Sequence, residues 1–198
     1  MEKFLNLASI NGNVIHFSSK EIQEVLRIEP AVHKDERGLF EETFKVSEFR
    51  TNHINFSFVQ DNHSFSKKGV VRGLHFQRKP HEQGKLVYAI IGKIFDVAVD
   101  LRKSSKTFGK WVYEELSGDN HRMLWIPPGF AHGFMALEDS HVIYKVTNEY
   151  DPASDDGILW NDPDVGIMWP KISPVVSDKD KALRSFKEYR ENMDSDQQ

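Results

Sequence analysis

The chain has 198 residues, a formal net charge of −4 and no cysteine. That length suits a single domain with a proper core, and the mild acidity leaves no electrostatic footprint for nucleic acid or an anionic membrane. Without cysteine, disulfides and thiolate chemistry are excluded, a composition at ease in a reducing compartment.

Met1 to Lys20 is mixed and weakly patterned, and reads as a leading strand or an ordered arm. It has no basic region followed by an apolar stretch and a small-residue cleavage site, so no secretory signal is read there. No apolar run approaches the roughly 20 residues of a membrane helix. The expectation is a soluble, cytoplasmic protein with one domain spanning residues 1–198. Aromatics make up 12% of the chain, 14 of them Phe, which favours strands.

Strand signals fill the middle. Lys85 to Ile91 is an apolar run joined by Gly92-Lys93 to a second segment, in which Phe95, Val97, Val99 and Leu101 alternate with Asp96, Ala98 and Asp100. The two-residue Gly-x connection predicts a type II′ hairpin between them. Ser117-Gly118-Asp119-Asn120 makes a turn between Trp111–Leu116 and Arg122–Ile126. His132, Phe134 and Ala136 alternate again, as do Val142, Tyr144 and Val146. The polar segment from Ser177 to Gln198 opens with Ala182, Leu183, Phe186 and Tyr189 at helical spacing, and Asp194 to Gln198 is expected to fray. Short strands with close turns and little helix predict an all-β antiparallel sandwich or barrel. The form chosen is a jelly roll, or double-stranded β-helix, with short peripheral helices. The inner face of such a barrel can hold a small ligand.

The densest chemistry lies in Gly69-Val70-Val71-Arg72-Gly73-Leu74-His75-Phe76-Gln77 and Gln83-Gly84-Lys85. Two cations and an imidazole stand close together, flanked by glycines that permit close approach and sharp bends. Strict alternation puts Arg72 and His75 on opposite faces, so a bulge or bend near Gly73 is required if both serve one pocket. Further on, Pro127-Pro128-Gly129-Phe130-Ala131-His132 carries Pro-x-Gly-x-x-His, which resembles the second motif of the cupins. The His-x-His of metal-binding cupins occurs nowhere, and the chain lacks the ligand spacing a metal needs.

Six segments together carry a specific resemblance: Asp35-Glu36-Arg37-Gly38-Leu39-Phe40-Glu41-Glu42, Val59-Gln60-Asp61-Asn62-His63-Ser64, Arg72 to Gln77, Phe95 to Arg102, Pro128 to Phe134 and Gly157-Ile158-Leu159-Trp160-Asn161-Asp162-Pro163. In order and at matching spacing, from about Val25 to Asp180, they look like the dTDP-4-dehydrorhamnose 3,5-epimerases. The resemblance implies a homodimeric, cupin-like jelly roll with no metal and no other cofactor. The implied reaction inverts C3 and C5 of dTDP-4-dehydro-6-deoxy-glucose by proton abstraction next to the C4 ketone and reprotonation on the opposite face.

Matched by position, His75 takes the role of base, Asp180 the acid that orients and charges it, and Tyr144 the acid on the other face. Lys85 falls near the developing enolate, and Arg72 on diphosphate or sugar oxygens. Arg37 and Glu42 match the segment that reaches the nucleotide of a neighbouring subunit, while Gln60, Asp61, Asn62, His132 and Lys179 match the site lining. Asp155 stands where the family more often has glutamate, and its shorter side chain bears on a ribose or base contact rather than on the chemistry.

Plainer readings stand beside these. Ser177-x-x-Asp180 ahead of Ala182-Leu183 is a capping-box signature, so Asp180 has a second explanation as a helix cap. Trp125, Trp160 and Trp169 read as packing residues, and Asp96 and Asp100, on the other face of the Phe95–Leu101 stripe, are candidate interior polar partners with no assigned role. Single-carbon epimerisation, another nucleotide-linked ketosugar such as a GDP-heptose, a metal-dependent cupin and a non-catalytic sugar-nucleotide binder remain the alternatives.

Overall fold

A computed structural model describes residues 15–192. Met1 to Val14 of the leading arm and Met193 to Gln198 of the tail lie outside the described residues.

Two six-stranded sheets form the barrel. One has the order β1 (His16–Ser19), β2 (Leu26–Glu29), β10 (Met123–Ile126), β7 (Lys85–Ile91), β12 (Ser140–Val146), β5 (Gln60–Ser66). The other runs β13 (Asp155–Gly157), β6 (Val70–Gln77), β11 (Phe130–Ala136), β8 (Lys93–Asp100), β9 (Trp111–Ser117), with β14 (Val175–Val176) pairing in parallel along the first half of β6. The antiparallel jelly roll expected from the short strands is the fold observed. A separate hairpin, β3 (Val32–Asp35) and β4 (Gly38–Glu41), carries Arg37 at its tip.

The core is layered by strand alternation. Val87, Ala89, Ile94, Ala98, Leu124, Ile126, Phe130, Phe134 and Val142 fill the space between the sheets. The outer face of the first sheet, with Leu86, Met123 and Trp125, is covered by Phe49 of α1 (Val46–Thr51). The outer face of the second, with Phe95, Val97, Val99 and Leu101, is covered by Phe186 and Tyr189 of α3 (Phe186–Asn192). The Phe95–Leu101 stripe is therefore core, and so is Trp125. Fully burying one such side chain stabilises by about 1.5–3 kcal/mol.

The predicted Gly92 hairpin is corrected by the topology. β7 and β8 belong to different sheets, and Gly92 is the corner where the chain crosses between them. Its φ is +77°, and a Cβ there would lie 2.2 Å from the Asp139 carbonyl oxygen. A glycine between two apolar runs marks a reversal in either case; the spacing does not say which sheet receives the second strand. The turn at 117–120 also joins strands of opposite sheets, held by the Asn120 side chain, which accepts from the amides of Ser117 and Arg122.

The C-terminal periodicity resolves into two short helices, α2 (Asp178–Lys181) and α3, rather than one. Ser177 caps α2 by accepting the Asp180 amide at 3.1 Å.

Candidate active site

The bulge required by the sequence is present. β11 pairs His132 with His75 and Phe134 with Arg72, so one residue step pair on β11 faces an extra residue on β6. Gly73, at φ +124°, absorbs the insertion. A Cβ on it would sit 2.5 Å from Gly133 Cα, so two glycines meet backbone to backbone where the strand changes phase. Leu74 consequently packs in the outer core while both Arg72 and His75 line the same inner cavity.

That cavity, about 530 Å³, is lined by Arg72, His75, His132, Lys85, Tyr144 and Asp180. A second lobe of about 320 Å³ shares His75, Lys85, Tyr144 and Lys179 and extends to Gln60, Asn62, Tyr150 and Asp155. His75 and His132 come from the second sheet, whereas Lys85 and Tyr144 come from the facing first sheet. Facing sheets pack about 10 Å apart, a gap of the size of one pyranose ring between side chains.

His75 Nε2–H donates to Asp180 Oδ1 at 2.8 Å, and the Gly73 amide donates to Oδ2 at 3.2 Å. Burial pushes the Asp180 carboxyl up, but the bonds from His75, Gly73 and Ser177 together hold it below its ordinary value. An ionised carboxylate only accepts, so the bond to Asp180 requires a proton on Nε2, which in the neutral imidazole leaves the lone pair on Nδ1. The two explanations for Asp180 thus coexist. Its amide is capped by Ser177 while its carboxylate turns inward to His75.

Lys85 is buried, and Nζ donates to the His75 carbonyl at 3.2 Å. Burial lowers its pKa to about 8, against the opposing pull of Asp96 and Asp155. Burial raises the Tyr144 phenol above its ordinary value, with the Arg72 charge working the other way. At neutral pH Tyr144 therefore holds its proton. Arg72 itself donates to Ser66 Oγ at 3.0 Å. In the second lobe Asp155 accepts from Lys179 at 2.5 Å and from the Tyr150 hydroxyl at 3.1 Å. Gln60 Nε2 donates to Asn62 Oδ1 at 2.8 Å.

Three anticipated positions lie elsewhere. Asp61 lines neither lobe: alternation along β5 turns it to the outside, where Lys145 Nζ donates to it at 2.7 Å. Three consecutive strand residues cannot all face one cavity. Arg37, exposed and paired with Asp35, belongs to the β3–β4 hairpin, and Glu42 follows it; neither lines either lobe within this chain. One lining residue was not anticipated: Tyr150 faces the second lobe. Asp96, opposite the Phe95–Leu101 stripe, is the interior polar partner its alternation allowed, bonded to His132 Nε2 at 2.7 Å.

A family model described as dTDP-4-dehydrorhamnose 3,5-epimerase matches residues 19–188. The chain belongs to this epimerase family. The dTDP-4-dehydrorhamnose 3,5-epimerase of Shigella flexneri is 55% identical over 163 residues, covering 81% of this chain and 90% of that protein. The crystal structure of the Sulfolobus tokodaii epimerase superposes with a TM-score of 0.83 at 50% identity, over 88% of this chain and 96% of that one. The Legionella pneumophila epimerase, solved in complex with dTDP-4-keto-L-rhamnose, gives a TM-score of 0.85 at 45% identity, over 87% and 93%. This epimerase thus combines the family's cupin-like barrel with a cavity holding an imidazole and a phenol on opposite walls.

Proposed function

We propose that this chain epimerises dTDP-4-dehydro-6-deoxy-glucose at C3 and C5, yielding dTDP-4-dehydro-L-rhamnose. One observation carries the reading of the site: His75, backed by Asp180, and Tyr144 line one cavity from facing sheets.

The C4 ketone acidifies the protons on C3 and C5, because the electron pair left behind delocalises onto the carbonyl oxygen as an enolate. His75 Nδ1 takes the proton, and the Asp180 carboxylate stabilises the imidazolium that forms. Such a positioned base contributes about a hundredfold to ten-thousandfold. Lys85, as an ammonium, faces the developing negative oxygen; losing a group of this kind costs on the order of a hundredfold to a thousandfold. Tyr144 then gives its proton to the other face of the same carbon, which inverts it. Solvent reprotonates the phenolate and takes the proton from the imidazolium, and the cycle repeats at the second carbon.

Arg72 suits diphosphate or sugar oxygens through its fork of donors. His132 borders the ring pocket, while the lobe with Gln60, Asn62, Tyr150, Asp155 and Lys179 has the amides, aromatic face and charges that suit a nucleoside. We assign Arg37 and Glu42 to the nucleotide of a partner subunit in a homodimer. Their exposure on and beside a hairpin that lines neither lobe of their own cavity supports this, as does Phe40, 66% exposed on the same hairpin. We place the enzyme in the cytoplasm, in keeping with its lack of cysteine.

Incubation with dTDP-4-dehydro-6-deoxy-glucose in deuterium oxide tests the reading. Label at both C3 and C5 of the rhamnose-series product is expected. Label at one carbon alone identifies a mono-epimerase, and an unlabelled, unchanged sugar removes the assignment.

A further inference from the structure

The β3–β4 hairpin belongs to neither barrel sheet, and its outer half has little of its own chain beneath it: Leu39 is 54% exposed, like Phe40 beside it. Its direction is therefore set at its feet. The chain enters from Glu29, the last residue of β2, and leaves through Glu41, the last residue of β4, which lies opposite Val32 in the register. Two consecutive residues of one turn hold both feet. Arg122 Nε donates to Glu29 Oε1 at 3.1 Å, and His121 Nδ1 stands 3.0 Å from Glu41 Oε2.

That turn is cross-braced. Asn120, besides accepting from the amides of Ser117 and Arg122, donates to the Glu115 carbonyl at 2.8 Å, and the His121 amide donates to the Ser117 carbonyl at 3.1 Å. Arg122 is also tied to Glu114 of β9 at 3.0 Å. His121 has a φ of +55°, in the left-handed region that glycine and asparagine adopt most readily. The turn gives no reason for an imidazole at that position; its contact with Glu41 does. Glu41 Oε2 is shielded from water and accepts no aligned hydrogen bond, and a carboxylate oxygen so placed is costly without a partner. The two side chains are only 13% and 21% exposed, so solvent screens their contact less than it would a surface pair.

We infer that His121 and Arg122 are positioning residues: they clamp the two feet of the hairpin and so aim Arg37 and Glu42 at the nucleotide bound by the partner subunit, touching no ligand themselves. This rests on the assignment of Arg37 and Glu42 to that nucleotide. Arg37 is paired with Asp35 of the same hairpin, so its guanidinium travels with the hairpin and not with the barrel. A clamp at the feet raises the fraction of hairpins held in the binding direction, and apparent affinity scales with that fraction.

His121→Gly keeps the turn, since glycine takes a φ of +55° without strain, and deletes the contact. KM for the nucleotide sugar should rise about threefold to tenfold, the weight of one lost contact to a charged group, while kcat changes less than about twofold, because only binding is lost. His121→Asn is the rescue: its amide nitrogen takes the place of Nδ1 and donates to Glu41, so KM should stay within about twofold of wild type. In the Arg37→Ala, Glu42→Ala background, His121→Gly should add less than about twofold, since the direction of the hairpin no longer matters there. A folded His121→Gly enzyme with wild-type KM, a loss in kcat in place of KM, a His121→Asn enzyme no better than His121→Gly, or a full further rise in KM on the Arg37→Ala, Glu42→Ala background overturns the inference. Where His121→Gly does not fold, Glu41→Ala removes the same contact from the hairpin side and is held to the same KM and kcat outcomes. Wild-type KM in the Arg37→Ala, Glu42→Ala enzyme overturns the nucleotide assignment and this inference with it; a raised KM there beside an unmoved KM in His121→Gly overturns the clamp alone.

Discussion

Replacing Asp180 with asparagine poses a problem the site cannot solve. The carboxylate accepts from two donors at once, His75 Nε2–H at 2.8 Å and the Gly73 amide at 3.2 Å. An amide has one accepting oxygen. If that oxygen stays with His75, the amide nitrogen confronts the Gly73 N–H, donor against donor. If the amide flips to satisfy Gly73, its NH₂ donates to Nε2, the ring proton moves to Nδ1, and the lone pair needed by the base is gone. In either state the imidazolium loses its counter-charge. The expected loss in kcat for Asp180→Asn is about 10²–10⁴-fold, the contribution of a positioned base, with KM changed only a fewfold. The exposed side of His75 and the Ser177 cap are untouched, so the fold should survive. Single-turnover deuterium exchange at C3 and C5, with a thermal melt as control, measures both. A folded Asp180→Asn enzyme within about threefold of wild-type exchange would refute the dyad.

Gly73→Ala should be harsher on stability. At φ +124° with backbone 2.5 Å from the added Cβ, it should cost at least about 1–3 kcal/mol and shift His75 against Asp180, seen as a lower Tm and lost exchange together. The rate should also fall as pH rises through about 8, because Lys85 becomes neutral there. The folded-state pKa lies below the ordinary lysine value, so the ammonium is complete only at lower pH. A kcat profile flat to pH 9 contradicts that role. Arg37→Ala, at an exposed position outside the lining of its own cavity, should raise KM for the nucleotide sugar while leaving Tm within a degree or so; unchanged KM argues against its reaching a partner's nucleotide.

What the sequence makes legible follows from local rules. Alternation exposes the strands, and the conflict between Arg72 and His75 demands a bulge at Gly73, which the register of β6 and β11 contains. The Ser177 signal marks a real cap. Long-range pairing is less visible. Gly92 marks a reversal but not the change of sheet, and the run Gln60-Asp61-Asn62 reads as a unit until a strand splits its faces. Alternation already sets Asp96 on the face opposite the Phe95–Leu101 stripe as an interior polar candidate; its partner His132 comes from a neighbouring strand, which local rules do not show. Tyr150 follows the last residue of β12 by only four positions, in a loop with no periodicity to give its direction.

The sharpest test separates taking the proton from giving it back. In Tyr144→Phe, His75 and Asp180 are intact, so deuterium should still wash into the sugar, returned to the face it left, while inverted product falls by about a hundredfold or more. Inversion at the wild-type rate in Tyr144→Phe would mean that no proton comes from the facing wall.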